Sequence, residues 1–100
     1  MANREINLTD EELKALTQYA ELFFSIHQCA LLLEKDPLEF KKLVNDENSP
    51  AGKAYLRGHL LSQTKLRKAV IKMAEAGSNP AQGMMRDFMQ QALNDNLVRR

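Results

Sequence analysis

The chain has little of what marks a membrane, disulfide-rich or disordered protein. It contains one cysteine, no tryptophan, three prolines and four glycines among 100 residues. A single cysteine excludes an internal disulfide, and because Cys29 lies in an apolar run we expect a buried core thiol. No apolar run approaches the roughly 20 residues that a membrane-spanning helix needs. The composition, 44% hydrophobic and 27% charged, therefore predicts an ordinary globular protein with one modest core.

Groups that carry chemistry are also scarce. His27 and His59 are the only imidazoles, they fall on different predicted helices, and no neighbouring cysteine or carboxylate spacing resembles a metal site. The glycines are scattered singly, so no phosphate-binding loop is present in the sequence. We therefore expect a protein that is not an enzyme and that takes no metal or cofactor. The N-terminal segment lacks the basic then apolar order of a secretory signal, which predicts a cytoplasmic protein.

Charge is distributed unevenly although the formal net charge is only +1. From Met1 to Phe40 there are eight acidic and three basic residues, whereas from Pro50 to Ala74 there are six basic residues and no acid. Two explanations remain open. Either the basic segment contacts phosphate, or acidic and basic surfaces meet within or between subunits.

Capping signals divide the chain into five predicted helices, with no strand pattern. A serine or threonine followed three residues later by glutamate or glutamine begins the first two helices, at Thr9 and Ser25. A cap residue with a following proline begins the other three. The predicted helices end near Phe23 or Phe24, at Leu33, before the polar linker 45–49, at Ala76 before Gly77, and near Leu93.

The segment from Ser25 to Val44 has the pattern of a helix-turn-helix. Its first helix has a small residue, Ala30, and then an apolar one, Leu33. Its second helix has two apolar residues three apart, Phe40 and Leu43, and this is the order that the motif requires. The corner position, usually glycine because it favours a positive φ, is Glu34. We therefore predict an all-α, five-helix single domain over 1–100, with a helix-turn-helix region at 8–48, a long fourth helix and a short closing helix at 49–93, and a loose tail at 94–100.

The outward side of the second helix of this unit supplies candidate DNA contacts. Lys41 and Lys42 suit phosphate or guanine, and Asn45 suits adenine. Lys35, at the corner, is a further candidate. Asp36 and Glu39 lie at the helix end that normally enters the groove, where repulsion from phosphate opposes binding.

The fourth predicted helix offers a second basic surface. At 100° per residue, five bases fall within a sector of about 120°; they are Lys53, Arg57, Lys65, Lys68 and Lys72. Such a side can neutralise several phosphates in a salt-dependent, sequence-tolerant way. A solvated surface that pairs with the acidic first helix of a neighbour is an equal alternative.

The same helix carries apolar residues on two sides. One stripe, which we assign to the core, consists of Ala51, Tyr55, Gly58, Leu66, Ala69 and Met73. A helix with two apolar sides must bury both, and the methionine-rich fifth helix suits either core packing or an adaptable partner surface. The candidate homo-oligomer interface therefore comprises Leu56, Leu60, Ile71, Met84, Met85 and Met89.

These patterns together resemble a known family. The helix-turn-helix pattern is followed by AYLRGHL at 54–60 and TKLRKAVIKMAEAGSNPAQ at 64–82, and from Leu8 to Leu93 the chain resembles small subunits of bacteriophage terminases. The most specific residues are Ala54, Tyr55, Gly58, Ala74, Gly77, Pro80, Ala81 and Gln82. The resemblance implies recognition of viral double-stranded DNA by the helix-turn-helix, ring-like oligomerisation through later helices, and delivery of DNA to a large subunit with ATPase and nuclease activity.

We therefore expect a non-catalytic DNA-binding protein of phage genome packaging, acting as an oligomer in the cytoplasm of a host cell if the chain is phage-encoded. Two alternatives remain. One is a helix-turn-helix transcription regulator, usually a dimer that reads paired half-sites. The other is a helical interaction or scaffold protein whose basic side binds acidic protein.

Overall fold

The computed structural model describes residues 7–99, which form five α-helices and no strand. The helices are α1 (Asp10–Glu21), α2 (Ile26–Leu32), α3 (Pro37–Asn45), α4 (Pro50–Glu75) and α5 (Asn79–Val98). The predicted all-α, five-helix architecture, with its helix-turn-helix and long fourth helix, is confirmed. Within it, contacts divide the chain into two compact units, Met1–Ser62 and Gln63–Arg100.

The helices begin where the capping signals predicted. Thr9 and Ser25 both form complete capping boxes. The hydroxyl of each accepts a hydrogen bond from the backbone N–H three residues on, and the side chain of that residue accepts one from the backbone N–H of the cap residue. Asp36 caps α3 ahead of its N-terminal proline, and Ser78 caps α5. Each cap satisfies N–H groups that the helix leaves without a partner, so the boundaries follow from local chemistry.

The first two helices end in the same left-handed turn. Phe23 and Glu34 have φ of 68° and 58°, a conformation that normally favours glycine. After α2, the Glu34 N–H donates to the Leu31 carbonyl at 3.2 Å and the Lys35 N–H to the Ala30 carbonyl at 2.9 Å. This pair of bonds is a Schellman motif. The corner therefore has the positive φ of a glycine corner although its residue is glutamate.

The closing helix is longer than expected. It continues to Val98, so residues 94–98 are helical rather than a loose tail. No glycine or proline interrupts the chain after Gly83. Two side-chain pairs four residues apart also hold the last turns, Gln90 with Asn94 at 3.0 Å and Arg99 with Asp95 at 2.8 Å.

The core of the first unit lies beneath the helix-turn-helix. Its buried residues are Leu16, Cys29, Ala30, Phe40, Val44 and Ala51. Cys29 is fully buried, as predicted, and burial raises the pKa of its thiol. The Phe24 carbonyl accepts a hydrogen bond from the Tyr55 hydroxyl at 2.9 Å and a weaker one from the Cys29 thiol at 3.9 Å. The Tyr55 hydroxyl on α4 therefore holds the segment that joins α1 to α2.

Helices α1 and α4 approach closely at Gly58. A Cβ atom added there would overlap the Thr17 carbonyl oxygen and lie 2.7 Å from the Ala20 Cβ. The Thr17 hydroxyl lies 3.1 Å from the Ala54 carbonyl, one turn earlier on α4. Only a residue without a side chain permits this crossing, so Gly58 has a packing role.

The second unit is a helical hairpin formed by the end of α4 and by α5. Its buried residues are Val70, Ala74 and Ala81, with Met85 and Phe88 packed against them. The assignment of Leu66, Ala69 and Met73 to the core was therefore wrong, since all three are exposed. In this part of α4, the position of α5 decides which side is buried. The spacing of apolar residues along α4 alone does not indicate that side.

Candidate nucleic-acid interface

The helix-turn-helix unit rests on an apolar frame at the predicted positions. Ala30 on α2 and Phe40 on α3 are fully buried, and Leu33 and Leu43 are half-buried against the same core. Small and apolar residues in this order let the two helices cross closely at a tight corner. The frame leaves one side of α3 exposed.

That exposed side of α3 consists of Leu38, Lys41, Lys42 and Asn45. At 100° per residue, these four positions span about 100° of the helix circumference. Leu38 was not predicted as a contact, yet 66% of its surface is exposed. The α3 face, as we call these four residues, thus offers two ammonium groups, one amide and one apolar side chain.

The acidic residues at the start of α3 lie outside the α3 face. The Asp36 carboxylate accepts the Glu39 N–H at 3.0 Å, so its charge is directed to the N-terminus of the helix. Glu39 is only half-exposed. Its position on the helix lies about 60° from Lys42 and about 160° from Lys41. Of the two acids, Asp36 is exposed at the N-terminus of the helix and Glu39 lies to one side of the α3 face.

Lys35 has a structural partner on another helix. Its Nζ lies 3.0 Å from a carboxylate oxygen of Glu12, and both side chains are about one quarter exposed. The pKa of Glu12 is held below its ordinary value, mainly by the hydrogen bond from the Thr9 backbone N–H and next by the one from Lys35. Lys35 therefore joins the corner of the helix-turn-helix to α1, which distinguishes it from the lysines of the α3 face.

The predicted basic residues of α4 are all exposed. Lys53 and Arg57 belong to the first unit, and Lys65, Lys68 and Lys72 to the second. Arg67, which is not among the predicted DNA contacts, is half-buried with its guanidinium 4.4 Å from the Phe88 ring centre. This cation–π contact joins the two helices of the hairpin.

The predicted oligomer residues divide into two groups. Met85 packs against the core of the second unit, because it lies on the same side of α5 as Ala81 and Phe88. The others are exposed large apolar side chains, namely Leu56, Leu60, Ile71, Met84 and Met89. The structure adds Leu93, Leu97 and Val98 to the exposed set. These residues lie in or next to 94–100, which was predicted to be a loose tail.

Within residues 7–99, no group of three or more histidine, cysteine or acidic side chains is placed to hold a metal ion. Over the same residues, no helix is both long and apolar enough to cross a membrane.

No protein-family model, curated protein or solved structure matches the chain.

Proposed function

We propose that this protein is a non-catalytic DNA-binding protein that presents the α3 face to double-stranded DNA. The observation that carries the proposal is the composition of that face, in which two lysines and an asparagine are exposed together, with the Asp36 carboxylate at the N-terminus of the helix and the exposed Asp46 and Glu47 after its C-terminus. Lysine neutralises phosphate without regard to sequence. Asparagine offers a bidentate pair to adenine, and an apolar side chain suits the thymine methyl group.

A single copy of this face makes few contacts, so useful affinity requires several copies. When an oligomer presents repeated weak sites to one duplex, each further contact is effectively intramolecular and the overall affinity rises steeply. This mode of binding fits the resemblance to terminase small subunits. In that role the oligomer would recognise viral DNA in the host cytoplasm and pass it to a separate large subunit.

The exposed lysines and arginine of α4 would add affinity rather than sequence preference. In the first unit these are Lys53 and Arg57, and in the second Lys65, Lys68 and Lys72. Each phosphate neutralised on a duplex adds about 0.9 to the negative slope of log affinity against log salt. Salt dependence therefore counts the basic residues that contact phosphate.

Fluorescence-anisotropy titration of a labelled duplex at rising salt tests the proposal. The double variant with Lys41→Ala and Lys42→Ala should weaken binding and reduce the salt slope by about 2 for each subunit that contacts the duplex, about 1 for each lost phosphate contact. The matched control is Lys14→Ala, an exposed lysine on α1 of the same unit. No binding at low salt, or an equal effect per lysine from the control, would exclude the α3 face as the DNA site.

Light scattering coupled to size exclusion then separates packaging from regulation. An assembly of several subunits supports the packaging role, whereas a stable dimer points to a transcription regulator that reads paired half-sites.

A further inference from the structure

An open cleft of about 350 Å³ lies in the first unit, among the start of α2, the end of α3 and the first half of α4. Its lining residues on α4 run from Gly52 to His59, so the cleft extends along about 10 Å of that helix. Sites for small molecules begin at about 300 Å³. The cleft therefore has the size of a small organic ligand and is too short for a docked helix of several turns.

Apolar side chains form much of the cleft lining. Ile26 on α2, Val44 on α3 and Leu56 on α4 are aliphatic, and Tyr55 adds an aromatic ring. Leu56 is 49% exposed, so part of this apolar surface is in contact with solvent. Covering such surface with an apolar ring removes both from water, which is favourable. These residues suit the hydrophobic body of a ligand.

The polar lining residues favour a cation. They are Asn45, Glu47 and His59, of which Glu47 supplies a carboxylate. Among the lining residues within 7–99, none is lysine or arginine. The first unit as a whole contains ten acidic and seven basic residues. Negative charge attracts cations and repels phosphates and carboxylates, so a positively charged ligand fits the cleft better than an anion does.

Asn45 belongs both to the cleft and to the α3 face. A ligand that binds the Asn45 amide in the cleft occupies the group that we assign to adenine. The ligand and this base contact therefore compete. Thermodynamic linkage then requires that the ligand and DNA lower each other's affinity by the same factor.

We propose that the cleft binds a small aromatic amine and that this ligand opposes DNA binding through Asn45. The ring lies on the apolar lining, and the ammonium group, which has three N–H donors, lies at the Glu47 carboxylate and the Asn45 amide oxygen. The ligand site stands on the cleft alone, whereas the effect on DNA rests on the proposed function. The cleft thus makes DNA binding responsive to a small molecule.

Tryptamine is the probe for the ligand site, because the chain has no tryptophan and all indole emission comes from the ligand. Its fluorescence anisotropy is measured with rising concentrations of the full-length protein, without DNA. The matched compound is indole-3-propionate, which has the same ring and a carboxylate in place of the amine. Tryptamine should bind, and indole-3-propionate should bind at least about threefold more weakly.

Charge reversal at Glu47 tests the group that sets this preference. Glu47→Lys should make indole-3-propionate the tighter ligand. Glu47 is exposed in the linker between α3 and α4, so the variant should keep wild-type helix content by circular dichroism. The matched control is Glu75→Lys, an exposed acid at the end of α4 in the second unit, which should leave both affinities unchanged. Absence of tryptamine binding, or a preference that Glu47→Lys leaves unchanged, would overturn the proposed site.

The labelled-duplex titration with and without saturating tryptamine tests the link to DNA. Tryptamine should weaken duplex binding by the wild type but not by Asn45→Ala. Glu47→Lys, which should no longer hold the amine, controls for action of tryptamine on the duplex itself. If tryptamine binds as predicted but the wild type binds no duplex at low salt, the ligand site stands and the proposed function fails. If the duplex binds equally well with tryptamine bound, the function stands and the competition at Asn45 is refuted.

Discussion

The crossing of α1 and α4 gives the sharpest stability prediction, which compares two glycine-to-alanine changes. Gly58 and Gly83 both lie inside helices, where alanine is favoured over glycine by up to about 1 kcal/mol. Their surroundings differ. A Cβ at position 58 would overlap a backbone oxygen of α1, whereas one at position 83 meets no atom within 4 Å.

The clash at position 58 should outweigh the gain in helix propensity. Overpacking a tight contact costs about 1–3 kcal/mol, or more where backbone must move, and here the obstacle is the Thr17 carbonyl rather than a flexible side chain. We expect Gly58→Ala to lose about 2 kcal/mol and Gly83→Ala to gain about 0.5–1 kcal/mol. For a chain of this size, 1 kcal/mol corresponds to about 4–8 °C in Tm.

Thermal and urea unfolding followed by circular dichroism measures both variants. The predicted result is a fall in Tm for Gly58→Ala and a rise for Gly83→Ala. A rise for both would show that helix propensity dominates and that α1 and α4 are not in the close contact described above. The comparison does not depend on the absolute stability of the protein, because the two changes are chemically identical.

Further predictions concern three individual residues. Tyr55→Phe removes a donor to the Phe24 carbonyl and should lower the free energy of unfolding in urea by about 1 kcal/mol. Burial raises the pKa of Tyr55, so the neutral hydroxyl stabilises the folded state fully below the ordinary pKa of 10.0. This stabilisation should be lost as pH rises through the pKa of the folded protein. The Tyr55→Phe variant should not show this pH dependence. Glu34→Gly should gain about 0.5–1 kcal/mol by relieving a left-handed residue, whereas Glu34→Ala, which keeps the Cβ, should not. Glu12→Gln should destabilise the protein at neutral pH; since the pKa of Glu12 is lowered, the difference from the wild type should shrink as pH falls below the ordinary value of 4.5.

Local chemistry made the helix boundaries predictable. The capping boxes at Thr9 and Ser25 and the glycine after α4 are short-range signals, and each lies where the sequence indicated. The apolar frame of the helix-turn-helix was also predictable, because α2 and α3 are close in sequence and α2 contacts α3 more extensively than it contacts α1. The α3 face then follows from the frame, since the residues opposite it must be exposed.

Contacts between distant segments were not predictable in the same way. Nothing local to Lys35 indicates that its partner is Glu12 on α1. The apolar residues near the end of α4 have two possible inward sides, and only the position of α5 selects Val70 and Ala74. The length of α5 was missed because Asn94 and its neighbours are weak helix formers whose side-chain pairs decide the outcome.

The buried thiol of Cys29 can report local unfolding of the protein. It is the only cysteine of the chain, it is fully buried beneath the helix-turn-helix, and its raised pKa keeps the thiol protonated. A thiol reagent can therefore react only during excursions that expose α2 to solvent. Under conditions where closing is faster than labelling, the rate of modification measures the free energy of those excursions. The same measurement with duplex present would report whether DNA restrains the first unit.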